Sequence, residues 1–208
     1  MATGTRRERE KEEIRRRILD AARDLFALHG RDAVTMRAIA DRIEYTPTAL
    51  YFHFRDKQAL LQRLCEEDFG ALAARFQVLA RVPDPVERIR KIGRAYVSFA
   101  VEHPNHYRMI FMTPGPSSPR EEAPPDRGAP EAEAYAFLHQ AVSEAVAANR
   151  FRPEYGDAGL VAQILWAGAH GVASLQIARE GDERIAWRPL EERIDALMDV
   201  QLRGLLRG

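Results

Sequence analysis

Apolar residues recur along almost the whole chain at intervals of three and four, which places them on one face of a 3.6-residue helix. Ile14, Ile18, Leu19, Ala22, Leu25, Phe26 and His29 keep this spacing, and Gly30 stands where a helix-terminating glycine belongs. A first helix is therefore expected over about Glu10 to His29. Thr35, a candidate N-cap, precedes Met36, Ile39, Ala40 and Ile43, which predicts a short second helix. After "EYT", Thr46 and Pro47 form another start signal: a Thr side chain accepts from an orphan N–H, and Pro tolerates the first helical position. Leu50 and Phe54 are the inward positions of this third helix, with Phe52 assigned to packing beside them. Two short helices joined so tightly cross at a large angle, the helix-turn-helix geometry.

A long fourth helix is predicted from Lys57 to about Leu79, with Leu60, Leu61, Leu64, Phe69, Leu72 and Phe76 on its apolar face. Further helices are expected near Val86 to Glu102, Asn105 to Met112, Glu131 to Ala148, Asp157 to Glu180 and Leu190 to Leu206. The segment "TPGPSSPREEAPPDRGAP", residues 113–130, holds six of the twelve prolines and reads as a flexible loop. No alternating strand pattern is present, so the fold class is all-α. An N-terminal three-helix domain, residues 1–61, is followed by a larger helical domain, residues 62–208.

Composition adds an electrostatic asymmetry. The 208 residues carry no formal net charge, yet residues 1–57 hold 13 Lys and Arg against 10 Asp and Glu, and the remainder 18 against 21. A mildly basic first quarter suits contact with a polyanion. The stretch "RREREKEEIRRR" interleaves four acids with seven bases and reads as a solvated helix extension with i,i+4 ion pairs rather than a basic arm over a duplex. Cys65 is the single cysteine, which excludes an internal disulfide framework and fits a reducing, cytoplasmic setting. The N-terminal "MATGTRREREKEEIRRR" lacks the apolar stretch of a signal peptide. Residues 159–178 are long and uncharged enough to cross a bilayer, but Gln163, His170, Ser174 and Gln176 interrupt them, and a helix buried inside protein is expected instead. No membrane partner is expected.

The third helix opens on small residues, Thr48 and Ala49, and so buries little. In a helix-turn-helix the second helix presents its N-terminal residues to base edges in the DNA major groove, and small side chains there allow close approach. The pattern "TMRAIADRI…YTPTALYFHFRDKQALL" resembles the N-terminal DNA-binding domain of the TetR family of transcriptional regulators, over roughly Ile14 to Leu64. Thr35, Ala40, the "LYFHF" block and Lys57 fall in family register. The resemblance implies a homodimer on a palindromic double-stranded operator, released by a small ligand. Repression is the expected sense, with an activator or a ligand-independent regulator as alternatives. Trp166, His170 and Gly171, with "HPNHYRMIF" upstream, resemble a C-terminal class named for its Trp-His-Gly motif. Where such proteins often have a turn glycine, this chain has Glu44.

Tyr51 and Lys57 resemble the family's phosphate contacts, and His53 is a further candidate. Lys57 also stands out physically, since a cation in a helix's first turn opposes the macrodipole and asks for a partner. Thr35 and Thr46 are expected to cap helices and then meet phosphate, and Arg37 to reach backbone or base edge. Pro47, Thr48 and Ala49 are the base-facing positions. For each, an ordinary surface or packing role is the competing reading.

In the larger domain, Phe69, Phe76, Tyr96, Phe99, Tyr107, Met109, Met112, Phe137 and Trp166 suit an adaptable apolar pocket, with a filled core as the alternative. His139, His170 or Tyr107 would then supply a polar contact to a small, largely apolar or aromatic effector. Pro104 interrupts the His103 and His106 pair, so no metal or cofactor is expected, and no nucleophile–base pair supports an enzyme built on the histidines and Glu102. The last two long helices are expected to form the dimer interface. Ala162, Gly168, Gly171 and Ala173 permit close approach there, and Leu190, Ile194, Leu197, Met198, Leu202 and Leu205 form an apolar stripe.

Overall fold

The computed structural model describes residues 6–108, 111, 130–179 and 181–207. The expectations for Met109, Met112 and positions 113–129 lie outside these residues. The helices among them are α1 (Arg6–His29), α2 (Met36–Arg42), α3 (Pro47–Tyr51), α4 (Lys57–Leu79), α5 (Pro85–Glu102), α6 (Pro104–Tyr107), α7 (Pro130–Ala147), α8 (Ala158–Arg179) and α9 (Leu190–Leu205). Among the described residues the β structure is an isolated bridge, Phe151 to Leu206. The architecture is all-α.

Internal contacts divide the chain into two compact units, Met1–Asp68 with Asn105–Ala123, and Phe69–Pro104 with Pro124–Gly208. The first unit packs Ile18, Leu19, Ala22 and Phe26 of α1 against Ile39 and Ala40 of α2, Leu50 of α3, and Leu60, Leu61 and Leu64 of α4. A charged cluster lies beside this core. The Asp68 carboxylate is fully buried and accepts from Arg23 Nε at 3.0 Å, while His106 Nδ1 of α6 lies 2.9 Å from it. Arg23 also donates to Asp20 at 2.8 Å. Burial disfavours the Arg23 charge, but the Asp68 and Asp20 contacts outweigh it and hold its pKa above the ordinary guanidinium value. Asn105, one residue before His106, donates to Asp24 at 2.9 Å, so α6 is fixed to α1 and α4 by polar contacts.

In the second unit, α5, α7, α8 and α9 pack around Ile92, Tyr96, Phe99, Val142, Leu165, Ala169, Met198 and Leu202. At Gly93, α5 comes close to α9: a Cβ there would meet the Met198 thioether, which would have to shift to make room. Part-buried ion pairs flank this core: Arg88 donates to Glu144 at 2.7 Å and Arg90 to Asp199 at 2.6 Å.

Two expectations change here. Helix α8 is buried on one face only, through Val161, Ala162, Leu165, Ala169 and Ala173, while Leu160, Ile164 and Leu175 are exposed. It is the one helix among the described residues long and apolar enough to cross a membrane, and its inner face is occupied by core. Ile194, Met198, Leu202 and Leu205 of α9 are spent on the chain's own core, because the helix needs its apolar stripe to dock at all. They are not available to a partner, and neither are Ala162 and Ala173.

Asp68→Asn leaves the Arg23 charge buried with only a solvent-exposed partner. It is expected to lower unfolding free energy by about 3–5 kcal/mol in urea denaturation, whereas Asp20→Asn, which removes the solvent-exposed carboxylate and leaves Arg23 paired with Asp68, should cost less, about 1 kcal/mol.

Candidate nucleic-acid interface

The interface is built on caps. Thr35 takes extended backbone angles and its hydroxyl accepts from Ala38 N at 3.1 Å, which starts α2. Thr46 repeats the device toward Ala49 N at 3.3 Å, and Pro47 follows in the first turn of α3. Asp56 caps α4 by accepting from Ala59 N at 2.7 Å, and this hydrogen bond, with that of Arg55, holds its carboxyl below the usual range. Three helix starts therefore fall within 23 residues, between Thr35 and Lys57.

The turn between α2 and α3 is a Schellman motif. Tyr45 N donates to Ala40 O at 2.9 Å and Glu44 N to Asp41 O at 3.2 Å, with Glu44 left-handed at φ 61°. The geometry normally given to glycine is thus kept with a Glu, at a cost of about 1 kcal/mol. Contacts around the turn offset it. Arg17 of α1 donates to Ile43 O at 3.3 Å and stacks on the Tyr45 ring, whose centroid is 5.4 Å away, while Tyr45 packs on the core.

Leu50 is the only buried residue of α3, and Phe54 is buried after it beneath the Arg15 guanidinium. These two inward positions, four apart, turn residue 52 the other way. Phe52 is 82% exposed and Tyr51 53% exposed. The packing role expected for Phe52 is therefore corrected: it joins Thr46, Thr48 and Tyr51 on the solvent side of α3, with Pro47 and Ala49 half-buried. The i,i+4 spacing of Leu50 and Phe54 was the signal that could have revealed this. Thr35 and Arg37 are exposed at the start of α2, where Arg37 is 4.0 Å from Asp41.

Lys57 has partners of its own. Its ammonium donates to Arg31 O and Val34 O, both at 2.9 Å, and so ties the α1–α2 connection to the first turn of α4. The electrostatic need that marked this residue is met by carbonyl oxygens, and one of its three N–H donors is left over. His53 is half-buried, with Nδ1 buried and without a hydrogen-bond partner. Burial, then the positive charges of Lys11 and Arg15, hold its pKa below the ordinary value, so it is neutral at pH 7.

The aromatic residues expected around a ligand divide between the units. Phe76, Tyr96 and Phe99 are buried, and Phe69 and Phe137 half-buried, in the second unit. Tyr107 is fully buried in the first. The Tyr96 hydroxyl lies 3.0 Å from His170 Nδ1, and burial holds the His170 pKa down. Trp166 is 37% exposed, with its ring centroid 6.0 Å from Tyr135, which in turn lies 6.0 Å from His139. Ser143 donates to the His139 carbonyl at 2.8 Å. Glu102 accepts from Arg75 at 2.6 Å, and this hydrogen bond lowers its pKa. Among the described residues no group of three or more His, Cys, Asp or Glu is arranged to hold a metal.

Comparison with known proteins gives two family matches. The model described as "Bacterial regulatory proteins, tetR family" matches residues 18–64, and that described as "Tetracyclin repressor-like, C-terminal domain" matches residues 89–202. The HTH-type transcriptional regulator UidR of Escherichia coli (strain K12) is 34% identical over 93 residues, which are 45% of this chain and 42% of UidR. The HTH-type transcriptional repressor Rv1474c of Mycobacterium tuberculosis is 45% identical over 60 residues, 29% of this chain and 32% of that protein. The chain thus spans less than half the length of these curated relatives. Among solved structures, a protein of unknown function from Rhodococcus sp. RHA1 is 28% identical with a TM-score of 0.68, covering 93% of this chain and 95% of that one. A TetR family transcription regulator from Marinobacter aquaeolei VT8 has a TM-score of 0.76 at 17% identity, covering 98% of this chain and all of the other, a likeness of fold.

Glu44→Gly removes the Cβ penalty at the left-handed turn position. It should raise stability by about 0.5–1 kcal/mol in thermal unfolding, and Glu44→Val should lower it, because a β-branched residue is least tolerated there.

Proposed function

The chain belongs to the TetR family of bacterial regulatory proteins, and from that premise we propose that it is a sequence-specific DNA-binding transcriptional regulator, a repressor released by a small ligand. The observation that carries this reading is the solvent-facing surface of α3, which offers small and hydroxyl side chains from a helix stabilised by the Thr46 cap and a single buried leucine. Residues 1–61 are the DNA-binding domain and residues 62–208 the effector-binding and dimerisation domain. Pro47, Thr48 and Ala49 meet base edges, with Phe52 beside them. Tyr51, His53, Arg37 and the free Thr35 and Thr46 groups meet phosphate and sugar. Lys57 uses its remaining donor on phosphate, from a position that two carbonyls already hold. His53, being neutral, has one ring N–H to give. The relatives named above are regulators, and the alternative of a helical enzyme using Glu102 falls away.

A palindromic operator requires a twofold protein. The support for a homodimer is the outer face of α8. Leu160, Ile164, Gly171 and Leu175 recur there at helical spacing, and Val200 of α9 is exposed as well. A contiguous exposed apolar face of this kind marks an interaction surface. The effector is small and largely apolar or aromatic, in keeping with Phe76, Tyr96, Phe99 and Trp166, with His139 or His170 as its polar contact. A regulator of this kind works in the cytoplasm.

Selection of duplexes from a randomised library is the primary test. Enrichment of a palindrome with half-sites about 10 base pairs apart supports the reading, and no preference over random DNA overturns it. On the selected duplex, Thr48→Ala should cost about 1–3 kcal/mol while leaving random DNA unaffected, whereas Lys57→Ala should weaken both and flatten the salt dependence by about one unit. Sedimentation should show a dimer at micromolar concentration, and Ile164→Arg with Leu175→Arg should convert it to a monomer with its helical content retained.

A further inference from the structure

Where α8 ends and α9 begins, a cleft of about 230 Å³ is lined by Arg179, Arg188, Arg193, Trp187, Gln176 and Leu190. Its described lining holds three guanidinium groups and no carboxylate, in a chain whose formal net charge is zero. The guanidiniums are held in place by neighbours that use only part of their donor capacity, five N–H groups each. Arg188 donates to Glu192 from Nε at 2.9 Å and Nη2 at 3.3 Å. Arg193 donates to Arg188 O at 3.1 Å and to Gln176, and lies over the Trp187 ring at 4.9 Å from its centroid. Arg179 is 3.7 Å from Asp182, which Arg184 also engages.

Trp187 supplies an independent observation. Its Nε1 is buried and has no hydrogen-bond partner among the described residues. An indole N–H is a donor only, and leaving one buried and unmatched costs about 1–3 kcal/mol. The cleft thus gathers donors from four side chains; Glu192 and Asp182 engage Arg188 and Arg179 from outside the lining, while Arg193 and Trp187 Nε1 have no carboxylate partner among the described residues. Acceptor oxygens carrying negative charge would match Arg193 and Trp187 Nε1 and the donors that Arg188 and Arg179 have left, and a planar or tetrahedral oxyanion can take two guanidinium donors at once.

We propose that this cleft is a binding site for a small oxyanion, the carboxylate or phosphate group of a metabolite, seated on Arg188, Arg193 and Arg179 with Trp187 Nε1 as an additional donor. None of its lining residues belongs to α2 or α3 or to the aromatic set of the second unit, Phe76, Tyr96, Phe99 and Trp166. Gly181 also lines it, with a left-handed backbone at φ 79°.

The full chain carries two tryptophans, so Trp166→Phe leaves Trp187 as the sole indole reporter. This protein is titrated with sodium phosphate and, separately, sodium acetate, at constant ionic strength set with chloride. A saturable change in emission with either anion is expected. Phosphate alone assigns a phosphate-bearing ligand and acetate alone a carboxylate. Arg188→Gln should weaken binding about tenfold or more, the usual effect of removing a charge-assisted hydrogen bond. Calorimetry on Trp187→Phe, which keeps a ring for Arg193 and removes the donor, should show a weaker site. An emission change no greater than that in chloride alone overturns the proposal. So does unchanged affinity in Arg188→Gln, a variant of an exposed side chain whose thermal unfolding serves as the control for folding.

Discussion

A carboxylate with no access to solvent has to be neutralised within the protein, and Asp68 imposes that requirement on the unit that carries α2 and α3. Arg23 of α1 meets it with a close ion pair, and His106 brings the short α6 to the same carboxylate. Such a cluster contributes less to net stability than to arrangement, because a hydrophobic substitute of equal volume would spare the desolvation of both charges. Its effect is positional. With α1 and α4 held at Arg23 and Asp68, the apolar faces of both helices meet α2 and α3 in one register, and Ile39, Ala40 and Leu50 fill the space between them.

Little else holds α3. Five residues cannot sustain a helix in water, since nucleation costs more than so few hydrogen bonds return. The helix persists because Thr46 satisfies an N-terminal donor, Leu50 is anchored in the core, and the preceding turn is locked by the Schellman hydrogen bonds, Arg17 and Tyr45. Thr48 and Tyr51 are thereby left exposed, with Pro47 and Ala49 only half-buried. An element that contributes so little to the core can devote its exposed surface to recognition, and this links the local structure to the proposed DNA contact. Lys57 has a comparable double character: its bonds to Arg31 O and Val34 O order the loop before α2, and the same bonds fix the ammonium close to the helix starts.

The second unit follows a different balance. Its helices are long, and α5, α7 and α9 spend their apolar stripes on a shared core. Helix α8 is apolar nearly all round, so burying one face necessarily leaves an apolar surface outside. That excess is what makes a partner chain the economical solution proposed for it. The arginine-lined cleft at the end of α8 stands apart from this logic, for its lining carries three guanidinium groups.

The sequence by itself determined the order of the helices and several of their starts, because hydrophobic period, caps and prolines act within one or two turns: Thr35, Thr46 and Pro47 mark starts that the structure reproduces to the residue, whereas α1 begins at Arg6 rather than Glu10. It also determined the family, since the "LYFHF" block and Lys57 occupy a register that short-range spacing fully expresses. Direction across the fold was decided only by tertiary structure. Periodicity names an apolar stripe without saying whether it meets the same chain or another, so Ile194, Met198, Leu202 and Leu205 read equally as core or interface until packing assigned them to the core. Partners distant in sequence were equally hidden. Lys57 finds carbonyls 26 and 23 residues away, and Arg23 finds Asp68 at a separation of 45, distances at which no local pattern carries information. Glu44 shows both limits at once: its position in the turn was legible, but its tolerance of a left-handed backbone depends on Arg17 and Tyr45 closing around it.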